Sequence, residues 1–108
     1  DRLVIRHESA DNPMFENQLE VLRNRIDALD TELLEVLSSR MDIVKEIGLY
    51  KKEHNVTALQ INRWAQLMDA RIKMGEKLNL NRTFTQILFQ LIHEDSVRMQ
   101  TEIMDNGN

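Results

Sequence analysis

Two basic residues, Arg40 and Lys51, fall on an apolar face of this sequence, where charge is unexpected. Apolar residues recur at steps of three and four from Leu19 to Ile47, which is typical of one helix face, and the two cations follow the same steps about three turns apart. A cation that points into an apolar seam needs an anion or water. The pattern indicates a site for an anionic ligand, unless both side chains extend to solvent or pair with nearby glutamates.

A third basic residue, Arg23, lies too far away to join that pair. On one straight helix it would stand about 25 Å before Arg40 along the axis, so one small ligand could not contact both within one chain. If Arg23 is functional, it must serve a site built mainly by another chain. The alternative is an ordinary surface arginine.

Two polar residues near the end of the sequence, Ser96 and Gln100, are one helical turn apart and share a face. Gln100 can both donate and accept a hydrogen bond at any pH. The alternative is a solvated polar face that continues through Arg98 and Glu102.

The remaining polar residues favour no other chemistry. The three histidines lack metal-ligand spacing, and His93 is interpreted as structural or exposed. The neighbours Glu94 and Asp95 would point about 100° apart on a helix, which disfavours a concerted acid–base pair. No serine or threonine has a histidine placed to suggest a nucleophilic triad. We therefore expect neither a metal nor a cofactor.

Three helices must position these side chains. A single helix of some forty residues, about 60 Å long, is predicted from Pro13 to about His54, with Asn12 before it as a helix start. A break at residues 55–57 offers a cap for a second helix, about Leu59 to Leu78, and a third runs from about Arg82 to Met104. The residues predicted to face inward on the third helix are Phe84, Ile87, Leu88, Leu91 and Ile92. The fold class is all-α.

The first helix carries more apolar surface than two shorter helices of one chain can easily cover. A partner chain laid along it would cover the stripe. We therefore expect a three-helix protomer that forms an intertwined helical homodimer.

Composition narrows the possible partners and surroundings. The formal net charge of −4 argues against nucleic acid, and no apolar run is long enough to span a membrane. The absence of cysteine excludes a disulfide framework and fits a reducing, cytoplasmic location. Residues 1–13 have the composition of a linker or the remnant of an upstream domain, which leaves residues 14–108 as the functional domain.

Several motifs taken together resemble the all-α chorismate mutases. They are LEVLRNRIDALDTELLEVLSSRMDIVKEIGLYKKEHNV, then INRW, then LFQLIHEDSVRMQ. The likeness extends from about Leu19 to Gln100. Each motif alone is an ordinary amphipathic segment, but their joint occurrence is specific.

The resemblance implies roles for seven residues. Arg23 is similar to the arginine that reaches into the partner's active site. The substrate-binding residues of one protomer would be Arg40, Lys51, Arg63, Ser96 and Gln100, with Gln60 at a position that is acidic in relatives. Of these, Arg40, Lys51 and Gln100 would be catalytic.

The implied reaction is the [3,3] rearrangement of chorismate to prephenate, which needs no nucleophile and no obligatory proton transfer. Catalysis then consists of selecting the compact conformer of a flexible dianion and stabilising the charge that grows on the breaking ether oxygen. Arginines suit the two carboxylates, and Lys51 and Gln100 would donate to the ether oxygen. An amide donor does not titrate, so activity should not require low pH.

The sequence departs from the family at Trp64, where many members carry a glutamate that meets the substrate hydroxyl. Gln60, backbone groups or the Trp64 indole would then recognise the hydroxyl, or activity would be lower. The alternative for Trp64 is packing between helices.

Two alternative interpretations of the function stay open. Residues 1–13 resemble the junction behind a DAHP synthase, so the domain could also sense prephenate for that neighbour or serve as a catalytically weak dimerisation module. An isochorismate–pyruvate lyase of the same fold is the rival enzyme.

Overall fold

The computed structural model describes residues 12–106, and these form three α-helices. Helix α1 is Pro13–Glu53, α2 is Ile61–Lys77 and α3 is Arg82–Asp105. No strand occurs in this range, so the all-α prediction is confirmed. Residues 1–11, which make up most of the predicted linker of residues 1–13, and residues 107–108 lie outside the described part.

Asparagine side chains start two of the helices. Asn12 Oδ1 accepts from the backbone N–H groups of Met14 and Phe15 at 3.1 and 3.2 Å, and Asn81 Oδ1 accepts from Phe84 N at 2.8 Å. These contacts satisfy amides that have no partner within the helix. The predicted start at Asn12 and Pro13 is confirmed.

The first turn differs from its predicted form. Asn55 takes a left-handed φ of 58°, which asparagine tolerates, and its N–H donates to Lys52 O at 3.4 Å. Helix α2 begins at Ile61, two residues later than predicted, and the N-cap residue Gln60 makes no side-chain capping bond. The predicted cap at residues 55–57 is therefore wrong, because Asn55 closes the end of α1 instead.

The structure divides into two compact units, of which the described parts are residues 12–38 and residues 39–106. In the first unit the described residues 13–38 are α-helical throughout. Its apolar stripe is open: Leu22, Ile26, Leu29 and Leu33 are 51%, 57%, 62% and 53% exposed.

In the second unit α1 and α2 each approach α3 closely at a glycine. A Cβ at Gly48 on α1 would stand 3.3 Å from Gln100 Cα, and one at Gly75 on α2 would stand 2.8 Å from Thr85 Oγ1. Val44 and Thr85 are buried in the same unit. Backbones approach closely where the site residues of α1 and α3 meet.

The predicted inward face of α3 is wrong for three of its five residues. Phe84, Ile87 and Leu91 are exposed, whereas Leu88 and Ile92 are half-buried. The buried residues of α3 are Thr85, Ser96 and Gln100. Helical spacing identifies an apolar face but not which face the neighbouring helices cover.

Within residues 12–106, no helix has both the length and the apolar character that crossing a membrane requires.

Candidate active site

An open cleft of about 340 Å³ lies among the three helices of the second unit. Six of the seven predicted site residues line it: Arg40, Lys51, Gln60, Arg63, Ser96 and Gln100. Helices α1 and α3 contribute two each, and the other two stand at the start of α2. None of the described residues that line the cleft is acidic, so its potential favours anions.

Arg40 and Ser96 join α1 to α3 inside the cleft. Arg40 Nη1 donates to Ser96 Oγ at 2.6 Å, and that hydroxyl donates to Ile92 O at 2.9 Å. Burial lowers the pKa of Arg40, and the like charge of Arg71 lowers it further. An arginine nevertheless stays protonated, so the guanidinium is a permanent cation with donors to spare.

Lys51 and Gln100 form a second link between the same helices. Lys51 Nζ donates to Gln100 Oε1 at 2.8 Å and to Ala58 O at 2.9 Å. Burial lowers the pKa of Lys51 below its usual range. The Gln100 side chain is 7% exposed, and its Nε2 makes no hydrogen bond to the described residues. Both side chains therefore keep donors for a ligand.

Gln60 and Arg63 form the exposed rim of the cleft. Neither side chain forms a hydrogen bond or an ion pair with the part of the chain that the structure describes. Both are free to turn toward a bound molecule.

Arg23 belongs to the first unit. Its Nη1 is 4.0 Å from Glu20 Oε1, and the two side chains are 62% and 64% exposed. Such an exposed pair contributes little to stability. The role of Arg23 toward a partner chain stays a prediction.

Two residues that the sequence did not assign to the site, Arg71 and His93, also line the cleft. Arg71 follows Arg63 and Leu67 at steps of four on α2, so helical spacing contained a signal for it. His93 precedes Ser96 by three residues and Gln100 by seven on α3, so helical spacing contained a signal for it as well.

His93 is half-buried and packs its ring against Trp64, with ring centroids 5.6 Å apart. Its Nε2 is buried and has no partner among residues 12–106. Burial lowers the pKa of His93, Arg40 and Lys51 lower it further, and Glu94 opposes them. The imidazole is therefore held neutral. The contact also shows that Trp64 packs between α2 and α3.

The arrangement can bind an anion with several charges and donate hydrogen bonds to it. Within residues 12–106 it offers no carboxylate as a base, and no group of three or more metal-ligating side chains occurs there. The fold and the cleft together define a small helical protein whose basic cleft suits a ligand with several negative charges.

Comparison with known proteins identifies the family. Residues 22–101 match chorismate mutase type II. The chain belongs to this family, and the predicted enzyme class, a chorismate mutase and hence an isomerase, is confirmed.

Relatives differ in what accompanies this domain. The chain is 36% identical over 89 residues to the bifunctional chorismate mutase/prephenate dehydratase of Escherichia coli (strain K12), covering 82% of this chain and 23% of that protein. It is 32% identical over 89 residues to the 4-amino-4-deoxychorismate mutase of Streptomyces pristinaespiralis, covering 82% of this chain and 69% of that protein. The chain thus spans about a quarter of the length of its bifunctional relatives.

Proposed function

We propose that this chain rearranges chorismate to prephenate in the cleft between α1, α2 and α3, as a step of aromatic amino acid biosynthesis. The observation that carries the proposal is the pairing of Lys51 with Gln100 at 2.8 Å in a cleft lined by cations without a carboxylate. Such a site suits a pericyclic reaction of a dianion. The cations can bind the substrate, and the reaction requires no base or nucleophile from the protein.

In the proposed mechanism the protein restricts a flexible substrate. The cations Arg40 and Arg63 hold carboxylates so that the enolpyruvyl side chain lies over the ring. One carbon–oxygen bond then breaks while one carbon–carbon bond forms, and no proton moves. Lys51 Nζ and Gln100 Nε2 donate to the ether oxygen as negative charge grows on it.

The active assembly that we propose is a homodimer in which Arg23 enters the partner's cleft. Its support is the exposed stripe of the first unit, where four aliphatic side chains are each more than half exposed. Such apolar surface marks an association face. The exposed position of Arg23 leaves its guanidinium available.

A second substrate deserves comparison because of Trp64. Two Streptomyces relatives are named 4-amino-4-deoxychorismate mutase. Their substrate name indicates an amino group where chorismate has its hydroxyl. Trp64 occupies the place of the hydroxyl-binding glutamate that the family resemblance implies, and its ring faces His93 rather than a carboxylate. We therefore propose weaker discrimination at this substituent than a glutamate would provide.

The surroundings of the domain in the intact protein are also a proposal. Residues 1–13 favour an upstream DAHP synthase, whereas the bifunctional relatives carry prephenate dehydratase. A cytoplasmic location rests on the absence of cysteine.

The activity test follows chorismate consumption by ultraviolet absorbance and identifies the product. Prephenate formation that Arg40→Ala abolishes is the expected result. Lys45→Ala, which removes an exposed cation from the same helix, is the matched control. Pyruvate released from isochorismate would favour the lyase, and a folded chain without turnover would favour a sensing domain.

Complementation tests the shared site. Arg23→Ala and Arg40→Ala should each be inactive, yet their mixture should recover about a quarter of wild-type activity, since half the dimers then hold one intact site. Arg25→Ala is the control for Arg23 because it is exposed on the same helix. A mixture that stays inactive despite subunit exchange would overturn the shared site.

A further inference from the structure

Arg71 is a cation of the cleft that no anion among residues 12–106 neutralises. It lines the cleft from α2, and its guanidinium carbon stands 5.9 Å from the ring centroid of Phe89. It is half-buried and has no carboxylate partner in the described part of the chain. A surface arginine on this helix would be free to pair with neighbouring acids, as Lys73 does with Asp69 at 3.1 Å.

The neighbour of Arg71 in the cleft is another guanidinium, that of Arg40. The two cations lie close enough for the charge of Arg71 to disfavour protonation of Arg40. In the part of the chain that the structure describes, no acidic side chain lines the cleft between them. Two like charges in a partly desolvated cleft repel each other. An anion placed between them would attract both cations and so offset that repulsion.

The cations of the cleft form two groups at different positions along the helices. Arg40 bonds to Ser96 and is coupled to Arg71, whereas Lys51 bonds to Gln100 and to Ala58 O, just before α2. Arg63 stands near that start of α2, and Arg71 lies about 12 Å farther along the helix axis. The cleft thus offers positive charge at each end, which suits a ligand with two separated carboxylates.

We infer that Arg71 binds one carboxylate of the dianionic substrate together with Arg40, as a second guanidinium donated by α2. The inference deepens the proposed function and depends on it. Helices α1 and α2 then hold the same carboxylate from two sides. Binding of this kind acts on ground state and transition state alike, so it lowers KM more than it raises kcat.

The competing explanation is that Arg71 only packs over Phe89. Arg71→Met separates the two, because a methionine keeps a long apolar side chain against the ring but removes the charge. Lys73→Met is the matched control, since it removes one positive charge from the same helix outside the cleft.

The experiment measures kcat and KM for chorismate in the wild-type protein, Arg71→Met, Arg71→Lys and Lys73→Met, at low and at high ionic strength. We expect the KM of Arg71→Met to rise about tenfold, with kcat reduced less than about threefold. Added salt should narrow the difference from wild type, because it screens the lost attraction. Arg71→Lys should recover part of the KM, and Lys73→Met should match wild type.

An Arg71→Met protein with wild-type KM, or an equal rise in Lys73→Met, would overturn the role of Arg71 while leaving the proposed function intact. If wild-type protein does not convert chorismate, the proposed function fails first. Calorimetric titration with chorismate then decides for Arg71: a weaker Kd in Arg71→Met supports anion binding there, and an unchanged Kd or no binding at all overturns it.

Discussion

Lys51 and Gln100 lie 2.8 Å apart, from the ammonium Nζ to the amide Oε1, and so join α1 to α3 inside the cleft. Because a lysine ammonium has donors and no acceptor, the amide must turn its oxygen toward it. The NH2 group of Gln100 is thereby left to donate to a ligand. Both residues thus keep a donor that is available to a ligand, as the ether oxygen of the proposed reaction requires.

Gln100→Glu should make catalytic activity increase as the pH falls. A carboxylate at this position accepts rather than donates, so it would serve the ether oxygen only when protonated. We expect kcat/KM of the variant to rise as the pH falls, whereas the wild type stays level over the same range. The measurement is a pH profile of kcat/KM for both proteins. Parallel profiles would contradict a donor role for the amide.

Lys51→Met should lower kcat by about two to three orders of magnitude, the usual cost of losing a donor to developing negative charge. The variant also leaves Gln100 Oε1 and Ala58 O without the ammonium. Lys45→Met is the control, because Lys45 is an exposed cation on the same helix outside the cleft. Steady-state rates with circular dichroism checks separate lost catalysis from lost folding. Equal effects in both variants would point to a general loss of charge.

The alkaline limb of the pH profile should report Lys51. Burial lowers the pKa of Lys51 from its ordinary 10.5, so the ammonium is lost at a lower pH than for an exposed lysine. We expect wild-type kcat/KM to fall as the pH rises through that lowered value. In Lys51→Arg, whose side chain stays charged, any residual activity should persist to higher pH. An unchanged limb in Lys51→Arg would assign the titration to another group.

Gly48→Ala should reduce turnover although alanine favours a helix by about 1 kcal/mol over glycine. The new Cβ would meet Gln100 Cα at 3.3 Å and Ile103 Cδ1 at 3.4 Å. Because the first neighbour is backbone, α3 must shift and carry the Gln100 amide with it. We expect kcat to fall about tenfold or more, since small displacements of reacting groups are costly. Unchanged kcat together with a higher Tm would show that the helices accommodate the methyl group.

The wild-type protein should lose folding stability in mild acid because of His93, and His93→Gln should lack this loss. The folded-state pKa of His93 lies below its ordinary 6.5, first through burial and then through Arg40, with Lys51 acting in the same direction and Glu94 against it. Between the lowered value and about 6.5 the unfolded chain binds a proton that the folded chain does not. Stability therefore falls as the pH falls through this window.

Urea unfolding at about pH 7 and about pH 5 measures the effect. The wild type should lose more free energy of unfolding between the two pH values than His93→Gln does. His54→Gln is the control, because His54 is exposed and stacks on Tyr50 at 4.2 Å rather than in the cleft. A wild-type pH dependence that persists in His93→Gln would place its source elsewhere.

The helices themselves followed from local sequence. Spacing at three and four residues and the cap Asn12 act within one or two turns, so they could be located without knowledge of the fold. The unusual placement of Arg40 and Lys51 on an apolar face was visible for the same reason. The family resemblance added Gln60 and Arg63 and gave substrate-binding roles to Ser96 and Gln100, and all four residues line the same cleft.

Packing decided which side chains meet, because helical periodicity does not define how one helix is rotated against another. The bonds Arg40–Ser96 and Lys51–Gln100 join residues 56 and 49 positions apart. Packing also buried Ser96 and Gln100 on α3 and left Phe84 exposed, the reverse of what side-chain polarity predicts. Packing of α2 against α3 likewise placed His93 and Arg71 in the lining of the cleft: His93 contacts Trp64, and Arg71 lies over Phe89. The sequence by itself therefore predicted the helices and the unusual position of the charged side chains. Only the packing of the three helices brought those charges together in one cleft.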